Sequence, residues 1–310
     1  MVLKPSNGRS RGPIIFRNVA IFFACMIVAY IAMRIVIGQT LTGFVQQNII
    51  PAISAESKTP NFIDMQNLID DFAKPRRGDV SIVIYDIDND RYSALYNSDA
   101  SMNIASLYKL LPTYINYLGM EEGTLSKTDV LYTENKNDKK VEYTREKCAE
   151  LTLRESHSGC AEAMVKEIGQ ETLDLTGWQE YDLTNTFGLS STAGDITKLM
   201  KTYYTHTGLS AETWSKIKDT LLVQPPTKED KTENNWRQGL PSGFHTAKVY
   251  NKVGWQGEKD KWKIYNDTAI IEFPDLNRHY IVTVLTTNTD PKIIANLGNH
   301  IEQTIISNTQ

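Results

Sequence analysis

Distinct patterns of apolar and polar positions succeed one another along the chain. Val19 to Met33 is an unbroken apolar run between Arg17 and Arg34. Counting Ile35–Ile37, and with Arg34 snorkelling, it approaches the roughly 20 residues that a membrane-spanning helix needs. Phe62, Met65, Leu68, Ile69 and Phe72 then recur at helical spacing, and Pro75 ends that helix. Val80–Ile87 alternates with β-branched residues, and Asp88-Asn89-Asp90 turns it into Tyr92–Tyr96, which predicts a hairpin. Helical and loop patterns fill the chain from Ser106 to about Leu222, and the charged stretch from Pro225 to Asn235 reads as an exposed loop. Strands resume at Ala247–Val253, Thr268–Phe273 and Tyr280–Thr287, and an amphipathic helix runs from about Pro291 to Ile306.

Two strands first, a helical insertion and three strands last predict an α/β fold. It is one mixed, mainly antiparallel five-stranded sheet closed by the two ends of the chain and flanked by helices, with a helical lobe. A functional cleft would lie between sheet and lobe. The 310 residues divide into a short N-terminus (1–17), the spanning helix (18–38), a linker (39–60) and one large domain (61–310). Lys4, Arg9, Arg11 and Arg17 precede the apolar run, and no lysine or arginine follows Arg34 until Lys58. This asymmetry places the N-terminus in the cytoplasm and the large domain outside, on a single-pass cell-membrane anchor. No small-x-small cleavage site closes the run, which favours an uncleaved anchor over a signal peptide. The net charge of −4 is mild, and no basic stripe with interleaved aromatics suggests nucleic-acid binding.

The candidate chemistry begins at Asn103-Ile-Ala-Ser106-Leu-Tyr-Lys109-Leu-Leu-Pro112. Residues three apart on a helix share a face, so Lys109 can reach the Ser106 hydroxyl. A serine hydroxyl needs a neighbour to take its proton, and a lysine can do so when burial lowers its pKa. Leu107, Leu110 and Leu111 would supply that burial. Ser215-Lys-Ile-Lys218 has the same spacing, but it lies in a polar helix without companions and reads as background. The companions of Ser106 are Ser156-His-Ser158-Gly159 and Lys252-Val-Gly254-Trp255.

In order, these segments resemble the three signatures of class A β-lactamases and penicillin-binding proteins, Ser-x-x-Lys, Ser-x-Asn and Lys-Thr-Gly. The flanks resemble the family too: Ser81–Arg91 its first hairpin, and Ser191-Thr-Ala-Gly-Asp195 the segment that leaves its omega loop. The resemblance covers roughly residues 60–305. It implies a serine hydrolase that acylates Ser106 with a β-lactam or a cell-wall D-alanyl peptide, with no metal or organic cofactor. Lys109 would take the Ser106 proton, and Ser156 would relay a proton to the departing nitrogen. Lys252, on an inner strand, would hold a substrate carboxylate. The backbone N–H groups of Ser106 and Trp255 would form the oxyanion hole, with Gly254 allowing close approach.

Three positions depart from the family. Ser158 stands where Asn is usual, and Val253 stands where a hydroxyl residue would help bind the substrate carboxylate. The omega-loop glutamate that activates the deacylating water has Glu180 as its candidate here, with shorter spacing to Ser191 than expected. These departures raise an alternative: a catalytically impaired binding protein of the same fold in the cell envelope.

Cys25 lies in the anchor. Cys148 and Cys160 flank Ser156; on one continuous helix they would stand roughly 18 Å apart, too far to bridge. They can meet if the chain turns at Ser156-His-Ser158-Gly159, with Ser158 as N-cap of a helix ending near Gly169. Outside the cytoplasm a disulfide would then form and brace that loop. Metal binding by Cys148, His157 and Cys160 and a pair of free thiols are the other readings.

Overall fold

The computed structural model describes residues 60–76, 78–184, 188–222, 238–258 and 261–309. The N-terminus at 1–17, the spanning helix at 18–38, the linker up to residue 59 and the whole charged loop at 225–235 lie outside the described residues. Among those described, no helix is long and apolar enough to cross a membrane.

The chain enters α1 (Gln66–Ala73) and then pairs β1 (Val80–Asp86) with β2 (Arg91–Tyr96). A short strand, β3 (Met102–Asn103), pairs with β6 (Ser190–Ser191). Between them stand the 3-10 turn Ala105–Lys109, α2 (Leu110–Glu121), the hairpin β4 (Val130–Lys136) and β5 (Lys139–Thr144), α3 (Arg145–Arg154), α4 (Ser158–Ile168) and α5 (Gln170–Glu180). After β6 come α6 (Ala193–Thr205), α7 (Ala211–Leu221), β7 (Lys248–Glu258), β8 (Lys261–Phe273), β9 (Arg278–Thr286) and α8 (Pro291–Thr309).

The large sheet has the order β2-β1-β9-β8-β7, and every neighbouring pair is antiparallel. The sheet is therefore antiparallel throughout rather than mixed. β1 pairs along its full length with β9, from Val80 opposite Thr286 to Asp86 opposite Tyr280, so the two ends of the domain close the sheet together. Alternation sorts the side chains into two layers. Ile82, Ile84, Val282 and Val284 pack in one apolar layer with Ile69 of α1 and Ile294, Leu297 and Ile301 of α8. Val83, Tyr85, Ile281 and Leu285 belong to the other, with Leu107, Leu111, Tyr114, Ile196 and Tyr203 of the helical lobe.

The β4–β5 hairpin interrupts a stretch expected to be helix and loop. Its turn residues, Asn137 and Asp138, both hold positive φ (50° and 60°), as the tight two-residue turn of a hairpin requires. The second departure is that β7 forms one edge of the sheet rather than an inner strand. An edge strand keeps unpaired backbone groups along its outer side, open to a ligand's backbone.

Cys148 of α3 and Cys160 of α4 are joined in a disulfide, with Cα atoms 5.0 Å apart and both residues fully buried. Bonded to each other, they do not serve as thiolate ligands, and among the described residues no group of His, Cys, Asp and Glu is arranged to hold a metal ion. The cross-link closes a short loop. Replacing both cysteines by alanine is expected to destabilise the domain by about 3 kcal/mol in denaturant titrations; an unchanged midpoint would show that the helix pair holds without it.

Candidate active site

The turn bearing Ser106 is set before the helix begins. β3 anchors it through Asn103, whose side-chain oxygen accepts the Ala105 N–H at 2.8 Å. The Asn103 carbonyl accepts from Asn266 Nδ2 of β8 at 2.8 Å, and Asn266 Oδ1 accepts the Thr286 N–H of β9. Ala105 is held at φ 44°, a left-handed conformation that costs a non-glycine residue of order 1–3 kcal/mol. That kink starts the 3-10 turn and leaves Ser106 half-buried while Leu107 and Lys109 point inward. Pro112 sits in the first turn of α2, where a missing N–H costs nothing.

Lys109 is 1 % exposed. Its Nζ donates to the Ser156 carbonyl, to Ser158 Oγ at 3.0 Å and to Ser156 Oγ at 3.4 Å. These hydrogen-bond partners are all uncharged, so desolvation dominates and burial pushes the ammonium down to about 8, against a smaller upward pull from Glu162. Lys252 of β7 is also 1 % exposed, and its Nζ donates to Ser156 Oγ and to the Val253 carbonyl, each at 2.8 Å. The Ser156 hydroxyl thus stands between two buried amines. A hydroxyl can accept from one neighbour while donating to another, so this is a built path for a proton.

Ser156 holds φ 58°, another left-handed non-glycine position. The residues around it fix that conformation. The N-cap of α4 is His157, whose Nδ1 accepts the Cys160 N–H at 3.2 Å. Ser158, expected to be the cap, is instead the first helical residue, and its hydroxyl is left free to meet Lys109. The His157 ring lies against Tyr132 and Tyr143 of the hairpin, at centroid distances of 5.6 and 5.3 Å. Tyr132 also covers Gly159 so closely that a Cβ there would stand 2.2 Å from its ring.

β7 closes the other side. A Cβ on Gly254 would come within 2.4 Å of the Ile104 carbonyl and 3.0 Å of the Ser106 N–H nitrogen. Glycine is needed here because two backbones touch. Trp255, the next residue, is 39 % exposed on the adjoining surface of β7. Val253 is fully buried in the apolar layer of α1 and α8, so its loss of a hydroxyl accompanies core packing.

Sequence and structure diverge at two of the expected contacts. Among the described residues, none hydrogen-bonds to the Ser106 hydroxyl, because the Lys109 amine is turned to Ser156 and Ser158. Free enzymes often hold such contacts open until substrate arrives. Glu180, at the exposed end of α5, lines a separate cavity of about 410 Å³ with Tyr85, Tyr181, Lys198 and Lys201. The structure does not bring it to the serine–lysine cluster. Asn103 and Asn266 were not legible as site residues, since only a hydrogen bond between segments far apart in the sequence joins them.

A β-sheet closed by both chain ends, a helical lobe and a serine–lysine cluster between them define a β-lactamase-like serine hydrolase fold. The sequence model of the β-lactamase enzyme family matches residues 64–307, and the chain belongs to that family. Among solved structures, it resembles a class A β-lactamase representative from Bacteroides cellulosilyticus (TM-score 0.64, 14 % identity, covering 80 % of this chain and 100 % of that one). It also resembles a β-lactamase from Chitinophaga pinensis (TM-score 0.63, 15 % identity, 79 % and 98 % covered). PBP-A is similar to the same degree (TM-score 0.63, 16 % identity, 80 % and 99 % covered). No curated protein matches the sequence.

Proposed function

We propose that this chain is a membrane-anchored, extracytoplasmic serine hydrolase that forms an acyl-enzyme on Ser106 with β-lactams or cell-wall D-alanyl peptides. One observation carries the reading: the Ser156 hydroxyl lies between two buried amines, Lys109 and Lys252, on a loop facing the Ser106 turn. Substrate would enter along the open edge of β7. Its carbonyl oxygen would sit between the N–H groups of Ser106 and Trp255, where the developing negative charge meets preorganised donors. Its carboxylate would meet Lys252. As Ser106 Oγ attacks the carbonyl carbon, its proton passes to the Lys109 amine, directly or through Ser156. Ser156 then delivers a proton to the leaving nitrogen and is replenished from the lysines on either side. A PBP-A mutant has been seen as an acyl-enzyme with penicillin G, which lends weight to this substrate class for the fold.

The test is intact-protein mass spectrometry of the domain after exposure to penicillin G. One penicillin mass should add per chain. No adduct at any time would replace the hydrolase reading with that of a binding protein that has lost turnover, which the Val253 and Ser158 departures would then explain. Membrane attachment is checked separately: the full chain should sediment with membranes, and a chain lacking residues 1–58 should not.

A further inference from the structure

The oxyanion hole proposed above draws its two N–H groups from separate segments, Ser106 in the 3-10 turn and Trp255 on β7. Their separation must match one carbonyl oxygen, and a misplacement of about 1 Å can cost about 10²-fold in rate. The contact at Gly254 sets how near the two backbones come, since a Cβ there would collide with the Ile104 carbonyl. Steric contact limits approach but does not prevent separation. The turn also stores strain at Ala105, held at φ 44°, and would relax unless tied down.

Asn266 of β8 is placed to tie it. It is fully buried, and the β7–β8 register sets it directly opposite Gly254. Residues directly opposite in an antiparallel pair share a face, so the Asn266 amide stands beside the space that Gly254 leaves to the turn. Its Nδ2 donates to the Asn103 carbonyl and its Oδ1 accepts the Thr286 N–H, each at 2.8 Å. A flipped amide would set donor against donor and acceptor against acceptor, so the two bonds fix its orientation. The β8–β9 ladder runs from Phe273 opposite Arg278 to Asp267 opposite Val284, and resumes at the bridge between Ile264 and Thr287. In the gap between, the Thr286 N–H takes the Asn266 side chain in place of a backbone partner. The next residue, Asp267, turns to the opposite face and accepts from Asn251 and from the Leu240 N–H. Two further bonds of the turn run to the other side of the site. The Ile104 N–H donates to the Leu189 carbonyl at 2.8 Å, and Asn103 pairs with Ser190 of β6.

We propose that Asn266 is a positioning residue for the oxyanion hole: its amide ties the nucleophile turn to β8 and so sets the separation of the Ser106 and Trp255 N–H groups. This rests on the acyl-enzyme reading above. Asn266 touches no substrate. It acts through Asn103, whose backbone leads into the Ala105 kink and Ser106. Trp255 is carried on the ladder beside it, paired with Tyr265. One buried amide therefore joins the strand that bears one donor to the turn that bears the other. Loss of the tether weakens the donors' grip on the carbonyl oxygen, which is tightest in the transition state. It leaves the meeting of Lys252 with the substrate carboxylate intact.

The experiment reads the ester carbonyl directly. Penicillin G with and without a heavy carbon isotope at its β-lactam carbonyl is reacted with the protein, and the infrared difference between the two adducts isolates that band. Wild type should give a narrow band lowered in frequency by two donors. Asn266→Ala should give a broader band at higher frequency. It should also acylate about 10- to 10²-fold more slowly at saturating penicillin, with a half-saturating concentration within about twofold of wild type. Should Asn266→Ala not fold, Asn266→Ser carries the same test, because it keeps a hydroxyl in the buried gap but cannot span both partners. Thr286→Val is the control for general support of the sheet. It removes the Thr286 Oγ1 bond to the Tyr265 carbonyl in the same gap and leaves the tether in place, so its band should match wild type. An unshifted band with unchanged acylation in the folded Asn266 variant overturns the assignment while leaving the acyl-enzyme intact, as does an equal band shift in Thr286→Val. Absence of any adduct on wild type removes the acyl-enzyme reading itself, and this inference with it.

Discussion

Ser106→Ala is expected to lose all covalent labelling by a fluorescent penicillin. In the proposed reaction the bond to the drug is made by that oxygen and by no other group in the cluster. Ser156 is engaged by both Lys109 and Lys252, and Ser158 is held by Lys109. Removing a nucleophile of this kind costs on the order of 10⁶ in rate where such losses have been measured. The fold should not suffer. Ser106 is half-buried, and its hydroxyl hydrogen-bonds to none of the described residues, so a stability change within about 1 kcal/mol is expected. Peptide mapping of the labelled wild-type chain gives the complementary result. The label should fall on the peptide containing Ser106 and not on Ser215, which has the same serine–lysine spacing but stands exposed on α7. Labelling that survives the alanine substitution refutes the assigned nucleophile.

Replacing Lys109 by methionine should slow acylation by about 10²- to 10⁴-fold, the range of a general base. Methionine retains the apolar length of the side chain and removes the amine. The pH dependence makes the role specific. Only the neutral amine can accept a proton, and burial brings Lys109 down to about 8. Acylation by the wild-type protein should therefore rise with pH through that value. With about a tenth of the amine neutral at pH 7 and about nine-tenths at pH 9, the rise is about tenfold. Lys109→Met should lose this limb along with its rate. An unaltered limb in the variant would assign the titration, and the base, to another group.

Different parts of this molecule were legible for different reasons. Alternation at Val80–Asp86 announced β1, because its two faces meet two different apolar layers. Helical spacing announced α1 and α8, each of which buries one stripe against the sheet. The β4–β5 hairpin was overlooked although its signal was present. Val130, Tyr132, Val141 and Tyr143 flank Asn137-Asp138, a pair suited to positive φ. The sequence around it is so polar that the strands read as loop. They remain largely exposed, and their task is to clamp His157 rather than to fill a core.

Residue identity and spacing along the chain were enough to mark Ser106, Lys109, Ser156 and Lys252, to place Cys148 and Cys160 on opposite sides of a turn, and to predict a sheet built from both ends. Local chemistry carries that information: a serine three residues before a lysine, a glycine between reactive segments, alternation of period two. Three-dimensional packing decided the rest. It put β7 at the sheet edge, turned the Lys109 amine to Ser156 and Ser158, gave the α4 cap to His157 and left Glu180 in another cavity. Those outcomes depend on distances between segments far apart in the chain. Such distances follow from how whole faces pack and which buried polar groups find partners, and no single stretch of residues encodes them.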